Sequence, residues 1–336
     1  MAFLRVISLV CLLSLSEALS TTIKLSSGYE MPSMAFCPWL IETENVADAV
    51  TTALNSGYRH IDTHYFLGHE RYIAQAIKKY IQNGGKREDL FITTRTPIFA
   101  NRASDVEKYL KLSLEYLEID YIDMYCLMEP WAVMKDPVRV PANDAIIFLD
   151  NGTIALDYEV DHIATWKALE SQLEAGLVRS IGLHDFNVDQ TLNVINNCNI
   201  KPSYLSMEGQ LYNQPNELHS LCKEHNIAIG VLGFHGVTPV WEPFLTKKYM
   251  SLQPVQENPI VKDIAKNHGK TAIQVLTRHL LQEGYILLLI GMQQPELIKE
   301  IFASYDFELT QNELEQLDGL NKGEDGRLIS DFNLPG

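Results

Sequence analysis

GYRHIDTHYFLGHE, residues 57–70, is the stretch of sequence that decides the expected fold. Residues 59–62 are predicted to form a short strand, which carries the carboxylate of Asp62 to a loop. A helix is predicted to start near Glu70. The stretch is therefore one strand–loop–helix unit with an acid at the carboxyl end of its strand.

The same alternation recurs along the rest of the chain. Strand-like segments are expected at 34–36, 60–62, 90–94, 121–127, 180–183, 204–208, 228–232 and 286–290. Helical segments are expected at 44–56, 70–82, 104–117, 163–175, 188–196, 215–225, 259–282 and 295–303. Strict alternation predicts parallel strands with right-handed crossovers, and eight such units close into an α/β fold, the (β/α)8 TIM barrel. An open doubly wound sheet is the alternative, but it usually begins with a G-x-G-x-x-G turn, which this sequence lacks.

Turn and cap signals support this division. Residues 26–28 separate two short strands, 23–25 and 29–31, which are predicted to pair as an N-terminal hairpin. Ser104 with Glu107 three residues later predicts a capping box. Left-handed helix ends are expected at Gly57, Gly84 and Gly176.

Two long loops follow predicted strands, at 128–162 and 233–258, and should overhang the barrel mouth, where sites in this fold lie. A short tail helix is expected near 312–320.

Composition and charge limit the function classes. The chain has 336 residues, enough for one barrel of roughly 250 residues or more. Its hydrophobic content of 46% and charged content of 21% are typical of a soluble globular protein. The formal net charge is −16, which argues against nucleic acid and anionic lipid as partners because both need a basic footprint.

The N-terminus predicts a secretory signal peptide at residues 1–20. Arg5 precedes an apolar run at 6–16, and Ala18 and Ser20 supply the small residues that cleavage requires. The run is shorter than the ~20 apolar residues of a membrane span. We therefore expect a secreted, extracellular monomer whose residues 21–336 form a single barrel domain.

Secretion bears on the cysteines and on one asparagine. Cys37 and Cys126 lie in apolar strand-like contexts and are expected to be buried thiols. Cys198 and Cys222 are the better candidates for a disulfide bond. Asn151 begins an Asn-Gly-Thr sequon in a polar loop and is the predicted glycosylation site.

Motifs along the chain make it resemble the aldo-keto reductase family. The matching text is GYRHID (57–62), KREDLFITTR (86–95), LEIDYIDMY (117–125), LEAGLVRSIGLHDFN (173–187) and YDFELTQNELEQLDGLN (305–321). The resemblance covers about residues 23–328. It implies a (β/α)8 barrel plugged at the bottom by the hairpin. It also implies NADP bound in extended form without a Rossmann domain, and hydride transfer to a carbonyl group.

The positions that carry catalysis in the family are mostly substituted. The resemblance places the family's aspartate at Asp62. Its proton-donating tyrosine, its lysine and its substrate-orienting histidine fall on Leu67, Arg95 and Met128. Leucine has no ionisable proton, so the resemblance implies a catalytic architecture that lacks its central acid.

The NADP-binding positions are substituted as well. The residues that hold the nicotinamide end in the family fall on His184, Asp185, Ser206 and Leu232. Those that bind the 2′-phosphate fall near Met292, Gln293 and Leu297, and an adenine-side acid is kept as Glu300. These residues after the eighth strand carry no positive charge, so they cannot balance the two negative charges of a phosphate group. No cofactor is therefore expected, and NADP is expected only if the family's site survives these substitutions.

Residues near Asp62 have alternative interpretations. Asp62 itself is expected to form a buried ion pair with Arg95 that joins two strands. Tyr65 is a candidate substitute acid, because an extended segment would place it on the same side as position 67. His64 and His69 are expected at the surface, and no metal site is expected, because no paired carboxylate or cysteine lies at ligand spacing.

Three functions remain open. One is a secreted module whose barrel mouth, lined by Leu67, Met128 and Leu232, binds a small apolar ligand. A second is a structural or interaction protein with a protein partner. An NADP-dependent oxidoreductase that reduces carbonyl compounds to alcohols is the alternative, but losing general acid catalysis typically costs about 10²–10⁴ in rate. One set of aromatic residues could line a ligand cup or form ordinary rim packing: Trp39, Tyr65, Phe66 and Trp131.

Overall fold

A closed barrel of eight parallel strands forms the centre of the molecule. The computed structural model describes residues 21–134, 155–233, 235 and 247–328. The barrel strands are β3 Met34–Cys37, β4 His60–Asp62, β5 Phe91–Arg95, β6 Met124–Met128, β7 Ile181–His184, β8 Tyr204–Glu208, β9 Ala228–Leu232 and β10 Ile286–Ile290. Neighbours follow chain order, and β10 closes the barrel by pairing with both β9 and β3. The predicted (β/α)8 barrel is confirmed.

Helices surround the barrel and cover its outer face. They are α1 Val46–Ser56, α2 Glu70–Gln82, α3 Ala103–Leu117, α4 His162–Glu174, α5 Val188–Asn197, α6 Asn216–Glu224, α7 Lys247–Met250, α8 Pro259–His268, α9 Ala272–Gln282, α10 Pro295–Phe302 and α11 Gln311–Asp318. Their apolar faces pack on outward strand residues such as Ile61, Leu127 and Leu287. Within the described part of the chain, no helix combines the length and apolarity that crossing a bilayer would require.

The N-terminal hairpin closes one end of the barrel. Strands β1 Thr22–Lys24 and β2 Glu30–Pro32 pair antiparallel. Leu25 and Met31 of this hairpin are buried against residues that begin barrel strands, including Phe91 and Met124. The predicted hairpin is confirmed, and it plugs the amino-terminal end of the strands.

The pleat of the strands decides which side chains enter the barrel. Along β10, Leu287 and Leu289 belong to the core under the helices, whereas Leu288 belongs to an interior cluster. The same alternation holds on every barrel strand because successive side chains point to opposite faces. It turns four polar side chains inward near the carboxyl ends of their strands: Asp62, Arg95, His184 and Ser206.

Two helix predictions were wrong. The segment 259–282 forms two helices, because Gly269 adopts φ +61° and ends α8 in the left-handed region. Ser104 is not the N-cap of α3, because the helix starts at Ala103 and Ser104 lies in its first turn. The N-cap residue is Arg102, and its side chain makes no capping hydrogen bond. The left-handed glycines after three other helices are confirmed, at Gly57, Gly84 and Gly176.

The disulfide prediction was also wrong. Cys37, Cys126, Cys198 and Cys222 are free thiols. Cys222 is fully buried in the main core, and Cys198 donates to the carbonyl of Ile195 at 3.4 Å. The burial predicted for Cys37 and Cys126 is confirmed.

Other predictions lie outside the described residues. These are the signal peptide at 1–20 and the sequon at Asn151. Parts of both long loops also lie outside, at 135–154 and 236–246.

A buried carboxyl group begins helix α2. Glu70 is 1% exposed and accepts a hydrogen bond from Thr94 Oγ1 on β5 at 3.0 Å. Burial raises the pKa of Glu70 to about 7, although hydrogen bonds from Ser113 and Thr94 act in the opposite direction. The folded protein therefore binds a proton here more tightly than the unfolded chain does.

We predict that Glu70→Gln removes a pH-dependent loss of stability. The pKa of Glu70 is raised in the folded state, so the folded protein keeps this proton over a pH range in which the unfolded chain loses it. The stability of the protein relative to the unfolded chain is therefore highest below the usual pKa of Glu70 and falls as the pH rises to about 7. The variant's free energy of unfolding should therefore rise relative to the unmodified protein by on the order of 1–3 kcal/mol between about pH 5 and pH 8. Urea unfolding at both pH values measures it. Glu115→Gln, an exposed change on α3, is the control, and an equal pH effect there would contradict the prediction.

Candidate functional site at the barrel mouth

A buried ion pair joins the ends of strands β4 and β5. Arg95 Nη2 donates to Asp62 Oδ1, and the two side chains are 6% and 1% exposed. Burial raises the pKa of Asp62, while the charge of Arg95 acts in the opposite direction. The predicted strand-joining pair is confirmed.

A histidine and a serine extend this network to two further strands. Arg95 Nη1 lies 3.4 Å from both ring nitrogens of His184. His184 Nδ1 lies 2.7 Å from Ser206 Oγ, and both residues are buried. Burial lowers the pKa of His184 well below its usual value, and Arg95 lowers it further, so the ring is neutral. Polar contacts therefore run across β4, β5, β7 and β8.

Position 67 and the candidate substitute acid lie in a short 3-10 turn, Tyr65–Leu67, and not in an extended segment. Leu67 is half-buried. Tyr65 is buried against α3, with its ring centroid 5.1 Å from Tyr109 and 5.6 Å from Tyr116. Burial raises the pKa of Tyr65, so its phenol is a weaker acid than usual. The extended geometry that made Tyr65 a candidate is absent.

The surface placement predicted for two histidines was wrong. His64 and His69 are only 7% and 6% exposed and flank the 3-10 turn Tyr65–Leu67. Burial lowers the pKa of both, and His64 stacks on Phe66. They are neutral packing residues.

One asparagine fixes the chain where it leaves β6. Asn101 Nδ2 donates to the carbonyl of Met128 at 2.5 Å and to that of Trp131 at 2.9 Å. Thr96 Oγ1 donates to Asn101 Oδ1 at 2.6 Å and accepts from the amide of Met128. Sequence reasoning missed Asn101, whose role depends on a loop that is distant in the sequence.

Two carboxyl groups meet beside this network. Glu129 and Asp185 follow β6 and β7, and both have left-handed backbones, with φ of +60° and +55°. Such strain in non-glycine residues clusters at functional sites. An oxygen of each carboxyl group lies within 4.8 Å of an oxygen of the other. Burial, and then the charge of Asp185, raises the pKa of Glu129 well above its usual range. Burial raises the pKa of Asp185 to about 6, although its side chain is 37% exposed and water screens part of the effect. Glu129 was not predicted as a site residue, because one acid after a strand carries no recognisable signal.

The remaining predicted positions do not join this cluster. Leu232 packs with Cys37 and Trp39 in the upper interior. Met292 is buried in the main core. Glu300 on α10 accepts from Thr271 Oγ1 at 2.6 Å. The predicted aromatic set is divided, because Trp39 lies in the Leu232 cluster whereas three members pack with Phe99 and Met128, namely Tyr65, Phe66 and Trp131.

The chain belongs to the aldo/keto reductase family. The family model matches residues 33–322. The solved aldose reductase of Schistosoma japonicum has 28% identity and a TM-score of 0.80, over 91% of this chain and 93% of that one.

Curated relatives span the same region. Aldo-keto reductase family 1 member C15 of Rattus norvegicus is 34% identical over 90% of this chain and 92% of its own. The NADH-dependent D-xylose reductase of Candida parapsilosis is 31% identical over 89% of this chain and 91% of its own. The family assignment made from the motifs is confirmed.

We predict that removing one partner of the Asp62–Arg95 ion pair destabilises the protein more than removing both partners. Asp62→Asn leaves the buried guanidinium without its counter-charge and should lower the free energy of unfolding by about 3–5 kcal/mol. The double change Asp62→Leu with Arg95→Met removes both charges and should cost far less, within about 1–2 kcal/mol of the unmodified protein. Urea unfolding followed by tryptophan fluorescence measures both. Equal destabilisation in the single and double variants would show that packing, and not charge, dominates.

Proposed function

We propose that this chain is a secreted aldo-keto reductase-family protein that acts by binding or as a structural body and does not reduce carbonyl compounds. The observation that carries the proposal is the state of Arg95. Its guanidinium is bound to Asp62 and lies against His184, so its charge is already matched by a buried carboxylate. Leu67, at the position that the resemblance gives to the acid, has no proton to transfer.

The interior contacts also argue against the family's cofactor. His184 and Ser206 stand where the resemblance puts groups that bind a carboxamide, but they bond to each other at 2.7 Å. Leu232 replaces the stacking ring with an aliphatic side chain. Beyond β10, Met292 is buried and apolar, so it provides no charge for a 2′-phosphate.

Reductase activity is the second candidate, and the comparisons favour it. The relatives are named as aldo-keto reductases and a xylose reductase, and they match about nine-tenths of this chain. Under this alternative, NADP occupies the mouth and carbonyl compounds are reduced to alcohols. The two candidates differ in whether the mouth binds NADPH at all.

We predict that NADPH does not bind with a dissociation constant below ~10 µM, which corresponds to about −6.8 kcal/mol. Calorimetry on the purified protein measures it, together with NADPH consumption with para-nitrobenzaldehyde. Leu67→Tyr alone should stay inactive, because Arg95 remains bound to Asp62 and Met128 cannot orient a carbonyl. Leu67→Tyr with Arg95→Lys and Met128→His should also remain poor.

The matched control rebuilds the nicotinamide end, with His184→Ser, Asp185→Asn, Ser206→Gln and Leu232→Tyr, and should bind NADPH more tightly than the unmodified chain. Micromolar binding with turnover by the unmodified protein would overturn the proposal. Turnover that Tyr65→Phe abolishes and Asp62→Asn does not would identify Tyr65 as the acid.

We predict that the mature protein is extracellular, begins near Thr21 and carries a glycan on Asn151. The charged, apolar and small-residue order of residues 1–20 supports it. N-terminal sequencing of protein from the medium, with glycosidase digestion, measures both features, and Asn151→Gln is the control for the glycan. Recovery from the cytosol with Met1 retained would contradict this prediction.

A further inference from the structure

Tyr158 lies in the connection that leads from the barrel mouth to helix α4. Its side chain is 80% exposed. Among the tyrosines whose side chains the structure describes, the only other exposed one is Tyr29, at 41%. Within the described part of the chain, no hydrogen bond, ion pair or ring contact involves the side chain of Tyr158. Its phenol oxygen is therefore open to solvent and to the active site of another protein.

The residues on either side of Tyr158 are fixed to the fold. Before it, Leu156 pairs antiparallel with Val133. After it, the side chain of Asp161 caps α4 by accepting from two backbone amides at 2.9 and 3.2 Å. The residues between these two points belong to neither a strand nor a helix. An enzyme can therefore reach this side chain without unfolding any part of the barrel.

Acidic side chains flank Tyr158 in the sequence and in space. Asp157 precedes it, Glu159 follows it, and Asp161 lies three residues after it. The guanidinium of Arg102 lies 2.6 Å from Asp157 Oδ2 and 3.6 Å from Glu159 Oε2. Three carboxylates against one guanidinium leave an excess of two negative charges beside the phenol. A basic cleft of a modifying enzyme attracts such a segment.

Two other tyrosines have acidic neighbours but packed rings. Tyr116 follows Glu115 in helix α3, and its ring centroid lies 5.6 Å from that of Tyr65. Tyr121 follows Asp120, and two guanidinium groups lie 4.1 and 3.7 Å from the centroid of its ring. An acidic neighbour does not by itself make a ring accessible, so these residues provide controls within the same chain.

We propose that Tyr158 is an acceptor site for a sulfuryl group, a proposal that rests on the secretion proposed above. The donor is an adenylyl phosphosulfate, which is present in the secretory compartment. The phenol oxygen attacks the sulfur of the donor, and an O–S bond forms as the bond from sulfur to the bridging phosphate oxygen breaks. The phenol proton passes to a base of the transferase, and the adenosine nucleotide leaves with the electron pair. No atom is oxidised or reduced.

The product would place a permanent negative charge at this rim of the molecule. A sulfate ester stays fully ionised near neutral pH, whereas a phosphate ester has a second pKa of about 6. Together with Asp157 and Glu159, it would form an anionic surface that suits a partner with arginine side chains.

The test incubates the purified full-length protein with a tyrosine sulfotransferase and the adenylyl phosphosulfate donor. We expect intact-mass measurement to show one sulfuryl group per chain, and peptide fragmentation to place it on Tyr158. Tyr158→Phe should remove the label, and it should fold normally because the ring is exposed. Tyr116→Phe is the matched control and should be labelled like the unmodified protein. The peptide map of the unmodified protein decides the site without any substitution.

Glu159→Gln tests whether the flanking charge directs the enzyme. The side chain of Glu159 is 86% exposed, so the change removes a charge without disturbing packing. The labelling rate at low salt should fall by about tenfold. Glu115→Gln, beside the packed ring of Tyr116, is the control and should leave the rate unchanged. Equal rates in the two variants would overturn the proposal.

Protein recovered from the medium of expressing cells should carry the same group. Its added mass should survive phosphatase treatment and disappear when chlorate blocks synthesis of the donor. Loss of the added mass to phosphatase would identify a phosphate group and overturn the proposal. So would an unlabelled protein in the medium, an unlabelled purified protein, or a label on another tyrosine. If the chain stays in the cytosol while the purified protein is labelled at Tyr158, the secretion proposal fails and the acceptor site stands.

Discussion

The ion pair between Arg95 and Asp62 lies inside the barrel, where water cannot satisfy either group. Charged groups in such a place persist only when each is matched, because an unpaired buried charge is far more costly than a buried pair. The pair therefore limits which charges the neighbouring side chains can carry. The ring of His184 can lie against the guanidinium because it is neutral, and Ser206 completes its polar contacts. The mouth is polar along one arc, from β4 to β8, and apolar where β9, β10 and β3 meet at Leu232.

The repeating parts of the structure were predictable from the sequence. The barrel follows from the alternation of strands and helices. Each strand and each helix shows its own hydrophobic pattern in the sequence, and eight strand–helix units in a row form a closed (β/α)8 barrel. Three barrel strands were predicted with the bounds that the structure has, namely Tyr204–Glu208, Ala228–Leu232 and Ile286–Ile290, and the strand His60–Asp62 was predicted to within one residue. The Asp62–Arg95 pair was predictable for the same reason, because both residues end adjacent strands with the same inward parity.

Features that depend on single backbone conformations were not predictable. Gly269 ends a helix in a segment whose apolar pattern continues through it. His64 and His69 are polar residues in a loop, and their burial depends on a 3-10 turn that composition does not signal. The meeting of Glu129 with Asp185 needs a left-handed residue after each of two strands that are distant in the sequence. Local propensity contains no information about such convergence.

The bond between Asn101 and the chain after β6 has a consequence for how this surface can change. Asn101 holds the carbonyls of Met128 and Trp131, and just beyond them Val133 pairs antiparallel with Leu156. Positions 135–154 therefore connect two residues that are held together, because the amide of Met134 donates to the carbonyl of Ala155 at 2.8 Å. Lengthening such a stretch adds only about 0.6 kcal/mol of closure entropy for each doubling. The length of this connection can therefore vary at a small cost in free energy while Asn101 keeps the end of β6 fixed.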